Sequence, residues 1–331
     1  MSKKHSNISI FVPHIGCPHQ CSFFNQFSIT GSVKAPSAKD VHDAVATAMK
    51  TANFNVENTE LAFFGGSFTA IEKEYQVSLL EAGYEHIKAG NIVGIRVSTR
   101  PDAIDTKTLE TLKRYGVTAI ELGAQSMCDD VLLANNRGHN SEDVIKSSAL
   151  IKSYGFSLGL QMMTGLYADS FEKDIYTAKK IIELSPDTVR IYPTIILKNT
   201  KLADYVGAGV YTPPGLEETV SLVAELLSMF RDKKINVIRT GLHTIDENAY
   251  VAGPWHPAFK ELCDSRIIRN EVLKYPKGDY TLFVPPCDVS KAIGQKRENI
   301  LYFKEKGYNI RVKGDADIPQ YEIRMCKEKC C

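Results

Sequence analysis

The chain has 331 residues, 40 Lys plus Arg against 39 Asp plus Glu, 44% hydrophobic residues, eight cysteines and one tryptophan, enough for one large or two ordinary domains with a buried core. A formal net charge of +1 excludes whole-protein attraction to nucleic acid or to an acidic membrane surface, so any such contact must come from a local patch. No stretch approaches the roughly 20 uninterrupted apolar residues of a membrane-spanning helix, and runs such as Ile191 to Leu197 are short.

In chain order, a strand is expected at Ile8 to Val12, followed by a loop with Gly16 and Pro18 and a helix from about Ala38 to Ala52. A second strand, Leu61 to Phe64, ends in Gly65-Gly66, and a third, Ile92 to Ser98, ends at Arg100-Pro101. A helix from about Thr106 to Tyr115 runs into Gly116, and strands Ala119 to Leu122, Leu158 to Met163 and Thr188 to Tyr192 repeat the plan. Strand, loop and helix at this spacing predict parallel βαβ units, and six strands predict an α/β fold built as an open, partial (β/α)6 TIM-like barrel.

A helical stretch from about Val220 to Phe230 precedes a strand-like Val237-Ile238, and residues 252–265 bring the tryptophan together with His256 and Cys263. The texture changes at Tyr275-Pro276-Lys277-Gly278, which predicts a barrel with its extension over 1–275 and a small α+β module over 276–331. The module reads as a strand at Tyr280 to Val284, a helix from Ser290 to Lys306 interrupted at Gly294, a strand at Asn309 to Val312 and a charged ending.

In parallel α/β barrels the reactive groups sit at the carboxyl ends of the strands. The unusual residues cluster there: Cys17 and Cys21 after the first strand, Gly65-Gly66-Ser67 after the second, Ser98-Thr99-Arg100 after the third, Glu121 and Gln125 around the fourth, Gln161 on the fifth and Tyr192 on the sixth. Lys198 and Lys201 follow the sixth strand, and His243 and His256 are candidate proton carriers, since imidazole as a side chain type titrates near neutral pH. For each of these a packed or solvated role stands as the plain alternative. The reducing, cytoplasmic setting expected of a chain without a secretory signal favours metal, catalytic or buried roles for its cysteines over disulfides. Two cysteines on one loop, Cys17 and Cys21, fit a metal or redox pair or inert thiols, and alone they close neither a zinc site nor an iron–sulfur site.

The loop Cys17-Pro-His-Gln-Cys21-Ser-Phe-Phe24 resembles the CxxxCxxC cluster loop of the radical S-adenosylmethionine (radical SAM) enzymes, in particular the branch that includes the Elongator catalytic subunit. The resemblance extends over most of residues 8–268 through FFGGSFTA, VSTRPDAID, ELGAQSM, MMTGLY, IYPTIILKNTKLA and GPWHPAFKEL, and linked motifs in one order are more specific than a lone cysteine loop. It implies a 4Fe-4S cluster held by three thiolates, S-adenosyl-L-methionine (SAM) on the fourth iron, a 5′-deoxyadenosyl radical, a reduced flavodoxin- or ferredoxin-type electron donor and, from the Elongator branch, tRNA or another RNA as substrate. By that resemblance Cys17 and Cys21 are cluster ligands, Gly65, Gly66 and Ser67 meet the amino-acid end of SAM, and Glu121, Gln125 and Gln161 orient its ribose or amino-acid part.

The third cysteine position holds Phe24, which has no lone pair to offer iron. Three explanations stay open: a cysteine from elsewhere, with Cys326, Cys330 and Cys331 as donors; a degenerate, non-catalytic member that binds SAM or RNA; or a substituted version of an active enzyme. A small-molecule radical enzyme is a further alternative. The segment Val289 to Ile300 resembles a KH core, whose GxxG loop clamps nucleic-acid backbone; here Gly294, Lys296 and Arg297 lie on that loop, with arginine at its fourth position. From Asp288 to the end ten Lys or Arg face seven Asp or Glu, a local surplus of three positive charges.

Overall fold

The computed structural model describes residues 5–13, 21–23, 35–242, 245, 247–319 and 321–327, so Cys17, Phe24, His243, Cys330 and Cys331 lie outside the described residues. By its internal contacts the chain forms two compact units, Met1–Pro213 with Phe230–Gly253, and Pro214–Met229 with Pro254–Cys331. Among the described residues no helix is long and apolar enough to cross a membrane.

The first unit is built on one seven-stranded parallel sheet ordered β1 (Ser6–Val12), β2 (Thr59–Gly65), β3 (Gly94–Thr99), β4 (Val117–Gln125), β5 (Ser157–Thr164), β6 (Thr188–Pro193) and β8 (Asn236–Thr240). Neighbours follow chain order with no reversal, so every crossover has the same sense and the sheet is wound as a barrel sector rather than doubly wound about a switch point. The partial barrel is as expected, with one strand more than six. Val237 and Ile238 belong to that extra strand, whose register with β6 pairs Val189 with Val237 and Arg190 with Arg239. A short antiparallel pair, β7 (Ile196–Leu197) with β9 (Tyr250–Ala252), stands apart from the sheet.

Period-two alternation gives the sheet two unlike faces. Leu61, Phe63, Ile95, Val97, Ile120, Leu122, Leu158, Leu160, Val189 and Ile191 are buried, as are Val41, Val45, Leu109, Leu112, Val144 and Ile151 of the crossover helices. Those helices start at side-chain caps: Ser37 and Asp40 form a capping box before Ala38–Met49, and Asn140 and Asp143 form one before Ser141–Ser153.

The opposite face is polar. Glu60, Arg96, Glu121 and Arg190 stand on it, the last three each between apolar neighbours in sequence. Arg96 bridges Glu60 at 2.9 Å and Glu121 at 3.2 Å, and Arg190 pairs with Glu121 at 2.7 Å. The ladder thus crosses β2, β3, β4 and β6. Glycine at 159, registered opposite Glu121, makes room for it, since a Cβ there would lie 2.8 Å from Glu121 Cγ.

The second unit has a three-stranded sheet ordered β11 (Tyr308–Gly314), β10 (Gly278–Val284) and β12 (Arg324–Lys327), with β10 parallel to β11 and antiparallel to β12. Two short helices, Val289–Ile293 and Glu298–Glu305, supply the crossover that a parallel pair requires. Its core joins Leu282, Val284, Phe303 and Ile310 to Ile268 and Val272. The helix Phe259–Val272 therefore packs with the module that follows it, and the expected division near residue 275 falls inside this unit.

Breaking a buried ion pair by removing one partner leaves an uncompensated charge. Arg96→Met is expected to lower stability by about 3 kcal/mol, read from the midpoint of urea unfolding, with partial recovery in Arg96→Met/Glu60→Met. A loss below about 1 kcal/mol for the single variant contradicts a ladder that bears on the fold.

Candidate functional site

The turn Cys21 to Phe23 is pinned to the carboxyl end of the sheet by groups distant in sequence. Ser22 is fully buried; its N–H donates to Asn135 O at 3.2 Å, its hydroxyl donates to Asn135 Oδ1 at 2.7 Å, and its carbonyl accepts from Leu202 N at 2.9 Å. Arg137 donates through Nη1 to Cys21 Sγ at 3.1 Å and through Nη2 to Gly123 O at 3.0 Å, and its guanidinium lies 5.7 Å from the centre of the Phe23 ring. One arginine thus ties the half-buried Cys21 to the end of β4.

That end of β4 is irregular. The register with β5 shifts between Gly123 and Gln125, and Gln125 takes φ 65, which re-aims its side chain at a strand end. Gln161 Nε2 donates to Gln125 Oε1 at 3.2 Å. Among the described residues Gln125 Nε2 and Gln161 Oε1 have no hydrogen bond with any protein group, so a donor and an acceptor stand side by side there. At the end of β2, Gly65 has φ 107, and a Cβ on it would lie 2.2 Å from the Phe11 ring. Gly66 N donates to Val12 O at 2.8 Å, and Ser67 O accepts from Ala70 N at 2.9 Å.

Tyr192 packs, with Phe23 and Cys128, against Val131, Met163 and Leu166, and its hydroxyl accepts from Arg190 Nη1 at 3.4 Å. Glu121, expected to face a ligand, is buried with its carboxylate held by Arg96 and Arg190, so the geometry gives it to the ladder. Burial works to lower the pKa of Arg190, and the Glu121 carboxylate and Tyr192 outweigh it, so the guanidinium stays charged.

Cys21, Gln125, Gln161 and Tyr192 therefore gather at the carboxyl end of the sheet, while other candidates do not join them. Lys198 and Lys201 are exposed, and Lys201 Nζ lies 5.5 Å from the Tyr205 ring centre. His256 belongs to the second unit, where its Nδ1 accepts from Ala258 N at 3.1 Å. Cys326 is exposed on β12, registered opposite Thr281 of β10, which places it in the second unit's sheet. Gly294 has φ 80 and joins the two short helices of that unit; Lys296 and Arg297 beside it are exposed with φ 49 and 66. Sequence reasoning missed Arg137, which lies between two helices and meets Cys21 only in the folded chain.

The sequence profile described as the Radical SAM superfamily matches residues 11–181, and that of the Radical_SAM C-terminal domain matches residues 186–269. The chain belongs to the radical SAM superfamily of enzymes. Its similarity runs to the Elongator-like branch: it is 31% identical over 188 residues to the tRNA uridine(34) acetyltransferase of Methanocaldococcus infernus, 51% of this chain and 35% of that protein. It is 30% identical over 201 residues to human Elongator complex protein 3, 55% of this chain and 37% of that protein. With the tRNA uridine(34) acetyltransferase of Dehalococcoides mccartyi it shares 24% identity over 255 residues, 67% of this chain and 56% of that protein. The chain thus spans 35% to 56% of the length of these relatives. Among solved structures, archaeal Elp3 from M. infernus with an N-terminal deletion has the same fold, with TM-score 0.63 and 22% identity over 81% of this chain and 64% of that one.

Superfamily membership implies a 4Fe-4S cluster and SAM. The polar ends of β4 and β5 fit SAM in donor chemistry, because the unengaged Gln125 amide N–H and Gln161 carbonyl suit its carboxylate, amino group or ribose hydroxyls. The thiolate set does not fit a cluster held by three cysteines: Cys17 and Cys21 leave Phe24, with no donor atom, at the third position. Among the described residues no three His, Cys, Asp or Glu side chains converge to replace it.

After β5, Asp169 of the loop and Asp174 of the helix that follows it, Phe171–Glu183, are two acids in contact. Asp174 Oδ2 accepts from Gly165 N at 3.2 Å, while Asp174 Oδ1 and Asp169 Oδ2 are buried without a partner. Burial pushes Asp169 up to about 6, and burial together with the charge of Asp169 pushes Asp174 well above the usual carboxylate range. A folded state that keeps a proton longer than the unfolded chain loses stability as pH rises through this window. Stability is therefore expected to fall between about pH 4 and 6, with the fall reduced in Asp169→Asn, as measured by urea midpoints across pH. An unchanged profile in the variant contradicts the assignment.

Proposed function

We propose that this chain is a SAM-binding, tRNA-directed member of the radical SAM enzymes, with the Gln125–Gln161 pair as the inner part of its SAM site and the second unit as an RNA contact. The observation that carries this reading is the gathering of Cys21, Arg137, Gly123, Gln125 and Gln161 at one end of the sheet. SAM bound there supplies a sulfonium centre with adenosyl and methyl substituents. The protein's own residues bind and orient it: Gln161 fixes the Gln125 amide, and Arg137 fixes the Gly123 carbonyl beneath it and the Cys21 turn beside it. Val131, Met163 and Leu166 form an apolar cluster against which Phe23 of the Cys21 turn and Tyr192 pack.

The tRNA assignment is supported by relatives named for tRNA uridine(34) acetylation, and by the exposed Lys296 and Arg297 on the loop at Gly294. Asn299, fully buried, accepts from Arg269 Nε at 2.7 Å and donates to Ser265 Oγ at 2.9 Å, which holds the base of that loop rigid. A glycine at 294 is required for this closeness, since a Cβ would lie 2.8 Å from Asn299 N. Radical chemistry on this scaffold depends on a third thiolate in the position of Phe24, and a non-catalytic SAM- or RNA-binding role is the reading that Phe24 favours for the chain without one.

Two equilibrium measurements test the proposal. Gln125→Ala and Gln161→Ala are each expected to weaken SAM binding roughly tenfold by calorimetry without moving the melting temperature. Lys296→Ala/Arg297→Ala is expected to weaken tRNA binding and to flatten its salt dependence by about two in log–log slope. SAM affinity untouched by both glutamine variants removes the site, and tRNA binding untouched by the double variant removes the second unit from substrate recognition.

A further inference from the structure

The polar face of the barrel sheet carries three arginines against two glutamates, and the ladder leaves one arginine over. Glu60 engages Arg96 through Oε2 and accepts from the Thr118 hydroxyl through Oε1, and Glu121 meets Arg96 and Arg190 with both of its oxygens. Arg239 of β8 is registered beside Arg190 of β6, one position from the end of its strand, and is half-buried. Its Nε donates to Gly241 O at 3.1 Å, and its two terminal nitrogens have no hydrogen bond or ion pair among the described residues. Among the described residues the ionisable side chains that act on it are Tyr192 and Arg190, and no carboxylate is among those. A half-buried cation without an anion is costly, and it persists where something else brings the negative charge.

What surrounds Arg239 narrows the class of ligand. Arg190 beside it is taken up by Glu121 and by the Tyr192 hydroxyl, which accepts from Arg190 and keeps its own proton to donate; the donors left over are those of Tyr192 and Arg239, and the neighbouring acceptor, Glu121, is spent. A donor-only corner suits an oxyanion. It lies at the carboxyl ends of β6 and β8, the end of the sheet that carries the candidate site. An enzyme that acts on a base must draw the nucleotide out of its stack, and the phosphodiester that follows it then arrives at the mouth of the site.

We propose that Arg239 and Tyr192 form an oxyanion subsite that takes a backbone phosphate of the RNA substrate. This rests on the tRNA reading above for the identity of the ligand, and on the unbalanced charge of the sheet for the site.

The test uses the full chain with two probes, tRNA and inorganic phosphate, and three variants: Arg239→Gln, Arg239→Lys and, as a control for loss of one charge, Arg114→Gln on an exposed helix position. Arg239→Gln is expected to weaken tRNA binding roughly tenfold, to lower the log–log salt slope by about one, and to abolish the rise in melting temperature produced by phosphate. Arg239→Lys keeps part of each effect and Arg114→Gln keeps all of them. Unchanged tRNA affinity and slope in Arg239→Gln overturn the subsite, even where phosphate stabilisation is lost, because an ion alone then occupies the corner. If the unaltered chain binds no tRNA but phosphate stabilises it through Arg239, the tRNA reading falls and the oxyanion site stands for a smaller phosphorylated substrate.

Discussion

The molecule depends on how it keeps four charges inside a parallel sheet. Glu60, Arg96, Glu121 and Arg190 alternate in sign across β2, β3, β4 and β6, so each charge taken from water meets an opposite one within hydrogen-bond distance. That ladder makes a polar inner face affordable in the unit whose outer face carries the apolar core. It also explains why a strand-end glutamate that resembles a ligand-binding residue is bound up in structure.

The fold was legible where chemistry is local. Short aliphatic runs separated by capped helices were enough for six strands and for the singly wound plan, and Gly294 marked the break between two helices. The seventh strand was half-hidden because Asn236–Thr240 offers only Val237 and Ile238 as apolar residues, and its arginine belongs to the polar face. Lys73–Lys88 and Arg324–Lys327 escaped for related reasons: the first is a helix of mixed polarity, and the second is an edge strand whose residues, Arg-Met-Cys-Lys, have no alternation to detect. The division of the chain into units follows from the core of the second unit, where Ile268 and Val272 join residues that lie after 278.

The site was legible at strand ends and illegible across them. Gln125 and Gln161 stood out as amides at the ends of apolar strands, and the structure joins them. Arg137 could not be found in this way, because its partners, Cys21 and Gly123, lie on other elements. The ladder left a trace that is readable afterwards: a single charge flanked by aliphatic residues, as in Ile95-Arg96-Val97, Ile120-Glu121-Leu122 and Val189-Arg190-Ile191. Such a charge points to the inner face of a barrel strand, and its partner must be a charge of opposite sign on a neighbouring strand.

The chain has the radical SAM scaffold, while the thiolate set of its cysteine loop is short by one at Phe24. Anaerobic reconstitution with iron and sulfide, followed by iron counting and EPR of the reduced protein with and without SAM, compares this chain with Phe24→Cys. A complete 4Fe-4S signal that SAM perturbs is expected in Phe24→Cys and not in the unaltered chain. A full, SAM-sensitive cluster in the unaltered chain contradicts this and shows that a ligand from elsewhere completes the set.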